Sequence, residues 1–231
     1  MTQRPDIAQA IDEAARSLND RRADLDETLQ TIAEVAHDSI PGMDHVGIST
    51  VERDGRITTR AHTDAMVGKL DSLQYDLGEG PCVSTLRSED IVLAPHLRHD
   101  QRWPRYVPAA TQLGLQAQLA VRLFLTHEGT VGGLNLYSTS REDLDPDAEP
   151  MARLFATQAA IALGHAKERS GLNEALHTRK IIGQAIGIVM ERYGLDEERA
   201  FAFLLRASST SNVKLRDVAQ QLVQKVNDTA Q

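Results

Sequence analysis

The chain has 231 residues, of which 41% are hydrophobic and 25% are charged, a composition typical of soluble globular proteins. No apolar run approaches the roughly 20 residues of a membrane span, and the polar first residues exclude a signal peptide, so we expect a cytoplasmic protein without membrane contact. The single cysteine, Cys82, excludes an intrachain disulfide.

The formal net charge of −8 is unevenly distributed along the chain. From Ala175 onward there are 8 Lys and Arg side chains against 6 Asp and Glu, a net of +2. The preceding residues carry 17 basic and 27 acidic side chains, a net of −10. Because an acidic surface repels polyanions, any contact with nucleic acid is expected at the C-terminal end.

The N-terminal segment, residues 6–38, has the periodicity of one long helix. Ile11, Leu18, Leu25 and Ile32 recur every seven residues, which is the spacing of a coiled-coil seam. The favoured interpretation is a dimerisation helix, so we predict a homodimer. The alternative is an amphipathic helix that lies on its own domain.

Strand-like alternation begins at His45. Two β-hairpins are predicted, one over residues 45–63 across the turn ERDG and one over residues 115–138 across HEG. The other predicted elements are a helix (64–72), a Gly/Pro loop (75–82), a short helix (83–86), a strand (91–94), an irregular segment (95–108) and a long helix beginning at Asp145. This order predicts an α+β fold, in which an antiparallel sheet is flanked by helices.

Three segments of this region, DLGEGPC, LGLQAQLAVRLF and TVGGLNLYS, resemble the GAF domain. GAF domains are sensory modules, so the resemblance implies that residues 1–165 receive a small-molecule or protein signal. The sequence itself requires no cofactor. The side chains expected at a sensor pocket are those of Cys82, Trp103, Tyr106 and Arg122.

Cys82, His96 and His99 are candidates for a metal or haem site. Structural zinc sites usually use four closely spaced ligands, whereas thirteen residues separate Cys82 from His96, so no metal site is predicted. Cys82 lies near the start of a predicted helix, where a lowered thiol pKa and a redox role are one interpretation. A small residue packed at the edge of the sheet is the favoured one.

Residues 166–178 connect this domain to the C-terminal region. They are rich in charge, and Leu172 and Leu176 lie four positions apart. We predict a signalling helix that continues from the preceding domain into the next one. A flexible hinge is the alternative.

Residues 179–231 are predicted to form three helices. The first stops at Gly194, Asp196 caps the second, and the polar cluster 208–212 ends it. Gly183 and Gly187 lie four apart on the first helix, where each glycine costs about 1 kcal/mol relative to alanine. We therefore expect a close approach there, either by the third helix or by a nucleic-acid backbone.

The segments IIGQAIGIVMERYGL, EERAFAFLLRAS and VKLRDVAQQLV resemble the ANTAR domain, a three-helix RNA-binding module of bacterial transcription antiterminators. The resemblance implies dimers that bind paired stem-loops in nascent leader RNA and so prevent formation of the terminator. Ile186 stands where the family often has lysine, so one RNA-facing cation is missing. The residues expected to contact RNA are Arg179, Lys180, Gln184, Gly187, Arg206, Lys214 and Arg216.

Phe201 and Phe203 are assigned to the core, so hydrogen bonds are expected to dominate over base stacking. The alternative function is that of a DNA-binding transcription factor with a GAF sensor and a helix-turn-helix-like C-terminus, because Lys214 and Arg216 begin a helix that fits a major groove. The chain has no P-loop, GxGxxG or GxSxG motif, and no enzyme activity is predicted.

Overall fold

The structure is a computed structural model that describes residues 25–52, 54–125 and 129–229, which form two compact units divided between Ala166 and Lys167. The first unit contains α1 (Leu25–Ser39), β1 (His45–Val51), β2 (Ile57–His62), α2 (Ala65–Leu77), α3 (Pro81–Arg87), β3 (Ile91–Ala94), a 3-10 turn (Leu97–His99), α4 (Tyr106–Gln112), β4 (Ala117–Leu125), β5 (Gly129–Ser138) and the first part of α5 (Ala148–Tyr193). The second unit contains the rest of α5, α6 (Glu197–Ser211) and α7 (Leu215–Thr229).

The five strands form one antiparallel sheet in the order β2-β1-β5-β4-β3. Both predicted hairpins are present. Strand β5 pairs with β1 as well as with β4, so it joins the two hairpins into one sheet. The β1–β5 pairing requires Gly132, because an added Cβ there would collide with the carbonyl oxygen of Ser49. The predicted α+β fold is confirmed.

One face of the sheet packs against α1 and the beginning of α5. Leu29, Ile32 and Ala36 of α1 are buried here together with Phe155 and Leu163 of α5. For residues 25–39 the structure therefore has the alternative arrangement, a helix lying on its own domain. Ile11 and Leu18, the first half of the predicted heptad, lie outside the described residues.

The opposite face is covered by α2, α3 and α4. The helix α2 begins at Asp64, whose side chain accepts a hydrogen bond from the backbone N–H of Met66 at 2.7 Å, a typical N-cap. It runs to Leu77, five residues further than predicted, and ends at Gly78 in the left-handed conformation (φ 64°). The loop predicted over 75–82 is therefore shorter, and Pro81 begins α3 as expected.

The helix α5 is continuous over 46 residues, so residues 166–178 are helical. In the second unit, Gly194 (φ 64°) follows the end of α5, and Asp196 accepts a hydrogen bond from the N–H of Arg199 at 2.8 Å, which caps α6 as predicted. The polar cluster 208–212 does not end α6 at its first residue; the helix runs to Ser211 and ends at Asn212, whose φ of 53° stops it.

Candidate functional site

A buried polar cluster lies between the sheet and α2 in the first unit. Asp71 and Gln74 project from the buried face of α2, beside Val67 and Leu70. Burial of polar side chains is costly unless each finds a hydrogen-bond partner. Residues far apart in the chain supply those partners: Thr59, Gln118, Asn135 and Tyr137.

Asp71 is the centre of this cluster. Its Oδ2 accepts a hydrogen bond from Thr59 Oγ1 at 2.6 Å, while its Oδ1 accepts from the Tyr137 hydroxyl and from Asn135 Nδ2. No cationic side chain among the described residues forms an ion pair with it. Burial raises the pKa of Asp71, and the hydrogen bonds from Thr59 and Tyr137 only partly oppose that effect.

Gln74 joins this cluster to α3 and α4. Its Nε2 donates to the Tyr137 hydroxyl at 3.0 Å, and its Oε1 accepts from the N–H of Cys82 at 2.9 Å and from Gln118 Nε2 at 3.3 Å. Tyr106 donates its hydroxyl proton to Gln118 Oε1 at 2.6 Å. A chain of hydrogen bonds thus connects the three covering helices through the centre of the sheet.

Three of the four residues expected at a sensor pocket lie in or beside this cluster. Cys82 and Tyr106 are fully buried in it, and Trp103 adjoins it, donating its indole N–H to Ser84 Oγ at 3.1 Å. Arg122 lies apart from them on β4, where it pairs with Asp90 and stacks over the Phe124 ring at 5.3 Å.

The thiol of Cys82 is not activated. Burial, together with the neighbouring Asp71, raises its pKa to about 12, so the interpretation of a lowered pKa is wrong. Cys82 is a packed small residue, but it lies against an inner strand rather than at the edge of the sheet, since its Sγ is 3.6 Å from Ser49 Oγ of β1. The two ring nitrogens of His96 contact the carboxylates of Glu142 and Asp143, at 3.3 Å and 2.9 Å. Within the described ranges, no group of three or more His, Cys, Asp or Glu side chains is placed to hold a metal ion.

We expect Cys82 to be inert towards thiol reagents in the folded chain. At pH 8 a thiol with a pKa near 12 has a thiolate fraction about 10³-fold lower than an ordinary cysteine. Labelling by a disulfide reagent, followed by absorbance, should therefore be very slow until urea unfolds the protein. Rapid stoichiometric labelling of the native chain would contradict the burial of this thiol.

The second unit has a small core, which leaves most of its surface for binding. Ala185 and Val189 of α5 meet Ala200 and Leu204 of α6 and Ala219 of α7, and these are its buried apolar side chains among the described residues. All seven residues expected to contact RNA are exposed: Arg179, Lys180, Gln184, Gly187, Arg206, Lys214 and Arg216.

Two subsets of these seven residues lie together. Lys180, Gln184 and Gly187 follow one another at helical spacing on the exposed side of α5. Arg179 and Arg216 line one groove of about 750 Å³. Ile186, which replaces the lysine frequent in the family, is half-buried, lines the same groove and packs against the small core.

Gly183 and Gly187 have no packing role inside the unit. A Cβ atom added at either position would meet nothing within 4 Å. Close packing of the third helix on the first, one of the two explanations offered by the sequence, is therefore wrong. The open space beside both glycines faces outward, so the unit itself gains nothing from the roughly 1 kcal/mol that each glycine costs.

Phe201 and Phe203 do not lie in the core. Both are exposed, and the ring of Phe203 lies 5.3 Å from that of Tyr193, which is also exposed. The core side of α6 is instead formed by Ala200 and Leu204. The assignment of Phe201 and Phe203 to the core is therefore wrong.

The fold defines a class of protein, an α+β domain followed by a three-helix module. The model of the GAF domain family matches residues 22–164, and that of the ANTAR domain matches residues 170–223. The chain belongs to the GAF domain family, and its C-terminal ANTAR domain gives it the GAF–ANTAR architecture of a sensor-regulated RNA-binding regulator. Both families are regulatory rather than catalytic.

Several solved structures share the fold at low sequence identity. The GAF domain of an Acinetobacter phosphoenolpyruvate-protein phosphotransferase is 16% identical with a TM-score of 0.55, over 74% of this chain and 99% of that chain. The phycocyanobilin-bound GAF domain of a cyanobacterial phytochrome is 14% identical with a TM-score of 0.56, over 73% and 98%. Type II free methionine-R-sulfoxide reductase from Thermoplasma acidophilum is 20% identical with a TM-score of 0.50, over 62% and 96%.

These likenesses show the fold alone. No curated protein matches the chain in sequence. Across the part of the chain that the structure describes, no helix is both long enough and apolar enough to cross a membrane.

Proposed function

We propose that this protein is a transcription antiterminator that binds paired stem-loops in nascent leader RNA and prevents the terminator hairpin from forming. The observation that carries the proposal is the outward-facing glycine pair. Gly183 and Gly187 leave open space on a helix that also presents Lys180 and Gln184. An RNA backbone that approaches closely at the glycines meets a cation and a hydrogen-bonding amide beside them.

Charge confines the contact to the second unit. Its net of +2 from Ala175 onward contrasts with the net of −10 before it, so the sensor repels RNA while local cation clusters attract it. One such site is the groove lined by Arg179 and Arg216, where Glu197 also lies and Asp217 contacts Arg216 at 3.2 Å. Binding that rests on a few phosphate contacts must weaken as salt rises.

The chain works as a homodimer in this proposal. Leu172 and Leu176 are 63% and 56% exposed and lie four apart on one side of α5, before the glycine pair, which fits a helix pair made by two copies. Two RNA-binding units held together engage two adjacent loops with avidity that one unit lacks. Such a dimer acts in the cytoplasm, where leader transcripts are made.

Residues 1–165 serve as the sensor, residues 166–178 as the signalling helix and residues 179–231 as the RNA-binding domain. The helical structure of residues 166–178 within α5 favours transmission along the helix over a flexible tether. A small-molecule or protein signal at the GAF domain needs only to favour one dimer geometry over another by a few kcal/mol.

Replacing both Lys214 and Arg216 with alanine is expected to weaken binding to a twin stem-loop RNA. If each cation meets one phosphate, affinity falls roughly tenfold and the slope of log K against log salt falls by about 1.4. Filter binding at several salt concentrations measures both quantities, and in vitro transcription read-through reports the antitermination itself. The matched control is Lys69→Ala, which removes an exposed cation from the sensor.

Two results would count against this function. Unchanged RNA retention by the double variant would remove Lys214 and Arg216 from the interface. Tighter retention of duplex DNA than of the twin stem-loop RNA would favour the alternative, a DNA-binding transcription factor that uses α7 in a major groove.

A further inference from the structure

An exposed aromatic pair lies at the junction of α5 and α6. Tyr193 is the last residue of α5 and is 56% exposed, while Phe203 on α6 is 44% exposed. Their ring centroids are 5.3 Å apart with an interplanar angle of 36°. Large aromatic side chains are usually buried, so two neighbouring rings left in water call for a partner from outside the unit.

Cations flank this pair on one side of α6. Arg199 precedes Phe203 by four residues and Arg206 follows it by three, so all three side chains project from the same side of the helix. Both arginines are exposed, and the contact of Arg199 with Asp196, 3.5 Å long and open to solvent, holds it only weakly. Two cationic side chains therefore lie on the Phe203 side of α6, with Asp196 as the acidic neighbour of Arg199.

The other side of α6 has a different character. Phe201 lies about 200° around the helix from Phe203. Glu197 and Glu198 precede Phe201 by four and three residues, so its surroundings are acidic. Only the Phe203 side combines flat apolar rings with cations, and the α6 surface is thus divided by charge.

We infer that Tyr193 and Phe203 form a platform on which unpaired loop bases of the bound RNA stack, with Arg199 and Arg206 contacting the flanking phosphates. Every base presents a π-face, and single-stranded RNA is recognised by aromatic side chains set in a positively charged groove. A protein partner with an apolar surface would have to bury the two arginines at the edge of the rings. This inference rests on the proposed RNA-binding function and assigns to it a second mode of contact besides hydrogen bonding.

The test compares variants that remove the rings but keep apolar bulk. Tyr193→Leu combined with Phe203→Leu is expected to weaken binding to a twin stem-loop RNA by about 5- to 100-fold, with an unchanged salt slope, because stacking rather than charge is lost. Phe201→Leu, the matched control on the acidic side, should change affinity less than about twofold. The Phe203→Trp variant should bind as tightly as wild type, since its indole ring keeps a stacking surface. Its retained affinity would show that a substitution at this position does not by itself unfold the domain.

The RNA partner supplies the complementary measurement. RNA with abasic sites in its loops should bind the wild-type chain as weakly as intact RNA binds the Tyr193→Leu, Phe203→Leu variant. On the abasic RNA, this variant and the wild type should have the same affinity. Equal binding of intact loops by wild type and this variant would overturn the platform alone. Failure of the wild-type chain to bind the twin stem-loop RNA would overturn the proposed function with it. A change in the solution mass of the variant would assign the rings to a contact between copies and overturn the platform.

Discussion

Separating the two copies of the proposed homodimer is expected to reduce its affinity for RNA more than removing any single cation does. Replacing Leu172 and Leu176 with glutamine should leave each unit folded, because both positions are exposed and glutamine is a good helix former. Without a partner, each chain binds one loop at a time. The affinity for a twin stem-loop RNA should then fall by about 10²- to 10⁴-fold, which is the range of avidity lost when linked sites become independent.

A single stem-loop RNA is the internal control for this experiment. One unit suffices to bind it, so its affinity should be the same for the wild type and for the Leu172→Gln, Leu176→Gln variant. Leu113→Gln, which changes an exposed leucine of the sensor unit, should alter neither the solution mass nor RNA binding. Light scattering coupled to size exclusion measures the mass directly.

Two results would contradict the proposed dimer. If the wild-type chain is a monomer in solution and on RNA, the exposed leucines have another purpose. If the glutamine variant is monomeric yet captures paired stem-loops as tightly as wild type, avidity is not the basis of recognition. Glutamine is used rather than a charged residue, because added negative charge would repel RNA and confuse the two effects.

The regular elements of both units follow from local patterns in the sequence. The short apolar runs of both hairpins, separated by turn sequences, identify their strands. Burial along β1, β4 and β5 is nearly continuous rather than alternating, because helices cover both faces of the sheet. Gly194 and Asp196 mark the turn between α5 and α6 because one tolerates a positive φ and the other accepts a hydrogen bond from a free backbone N–H. These signals act within a few residues and need no tertiary context.

The heptad of the N-terminal segment shows where a local pattern is ambiguous. Leu25 and Ile32 fit a coiled-coil seam, yet α1 uses this stripe to cover the sheet of its own unit. An apolar stripe on a helix specifies that the helix is buried, but not what buries it. The tertiary structure decides between a coiled-coil partner and the helix's own sheet.

The polar cluster was missed because its members are far apart in the sequence. Asp71 and Gln74 meet Asn135 and Tyr137 only after β5 has paired with β1 and α2 has packed on the sheet. A signal was nevertheless present. Asp71 and Gln74 fall on the same face of α2 as Val67 and Leu70, and polar residues on the apolar face of a helix indicate a buried hydrogen-bond network.

The exposure of the two phenylalanines also follows from helix geometry. Residues two apart in a helix project in directions about 200° apart, so Phe201 and Phe203 cannot both face one core. Ala200 and Leu204, four apart, can, and they are the buried pair. Hydrophobicity alone predicts that Phe201 and Phe203 are buried, whereas helical spacing predicts burial of Ala200 and Leu204.

Asp71→Asn is expected to stabilise the first unit at neutral pH and to reduce the dependence of its stability on pH. The asparagine keeps an acceptor oxygen for Tyr137 and Asn135, and its amide can donate to the Thr59 hydroxyl. That hydroxyl can then donate to the Tyr75 hydroxyl, which lies 3.2 Å from it in the wild type. The variant removes the free-energy cost of burying an ionisable group without a cation. We expect a gain of about 1–3 kcal/mol in the free energy of unfolding at pH 7.5.

The sign of the pH dependence follows from the raised pKa of Asp71. Below the unfolded-state value, near 3.9, the group is protonated in both states and its contribution is fully present. As the pH rises from there towards the folded-state pKa, the unfolded chain releases a proton that the folded chain retains, so the wild type loses up to about 1.4 kcal/mol per pH unit. The advantage of Asp71→Asn should therefore grow as the pH rises above the unfolded-state value, until the folded-state pKa is passed.

Urea unfolding of the full chain, followed by fluorescence, measures this difference in the right unit. Trp103 is the single tryptophan of the sequence and is buried in the first unit, so its emission reports that unit without truncation. Comparing the two proteins at each pH cancels the titration of the other carboxyl groups, because it is common to both. A difference that does not grow as the pH rises above the unfolded-state value near 3.9, or an asparagine variant less stable throughout, would contradict the raised pKa.

Asp64→Asn is the matched control with the opposite sign. Although burial raises the pKa of Asp64, hydrogen bonds from His45 at 2.6 Å and from the Met66 N–H hold it below its usual range. Its stabilising contribution is therefore present above the unfolded-state pKa and is lost as the pH falls through the folded-state value. The Asp64→Asn variant should lose more stability relative to wild type above the unfolded-state pKa than below it, whereas the Asp71→Asn variant gains as the pH rises. The two carboxyl groups of one unit thus differ in whether the fold favours their charge.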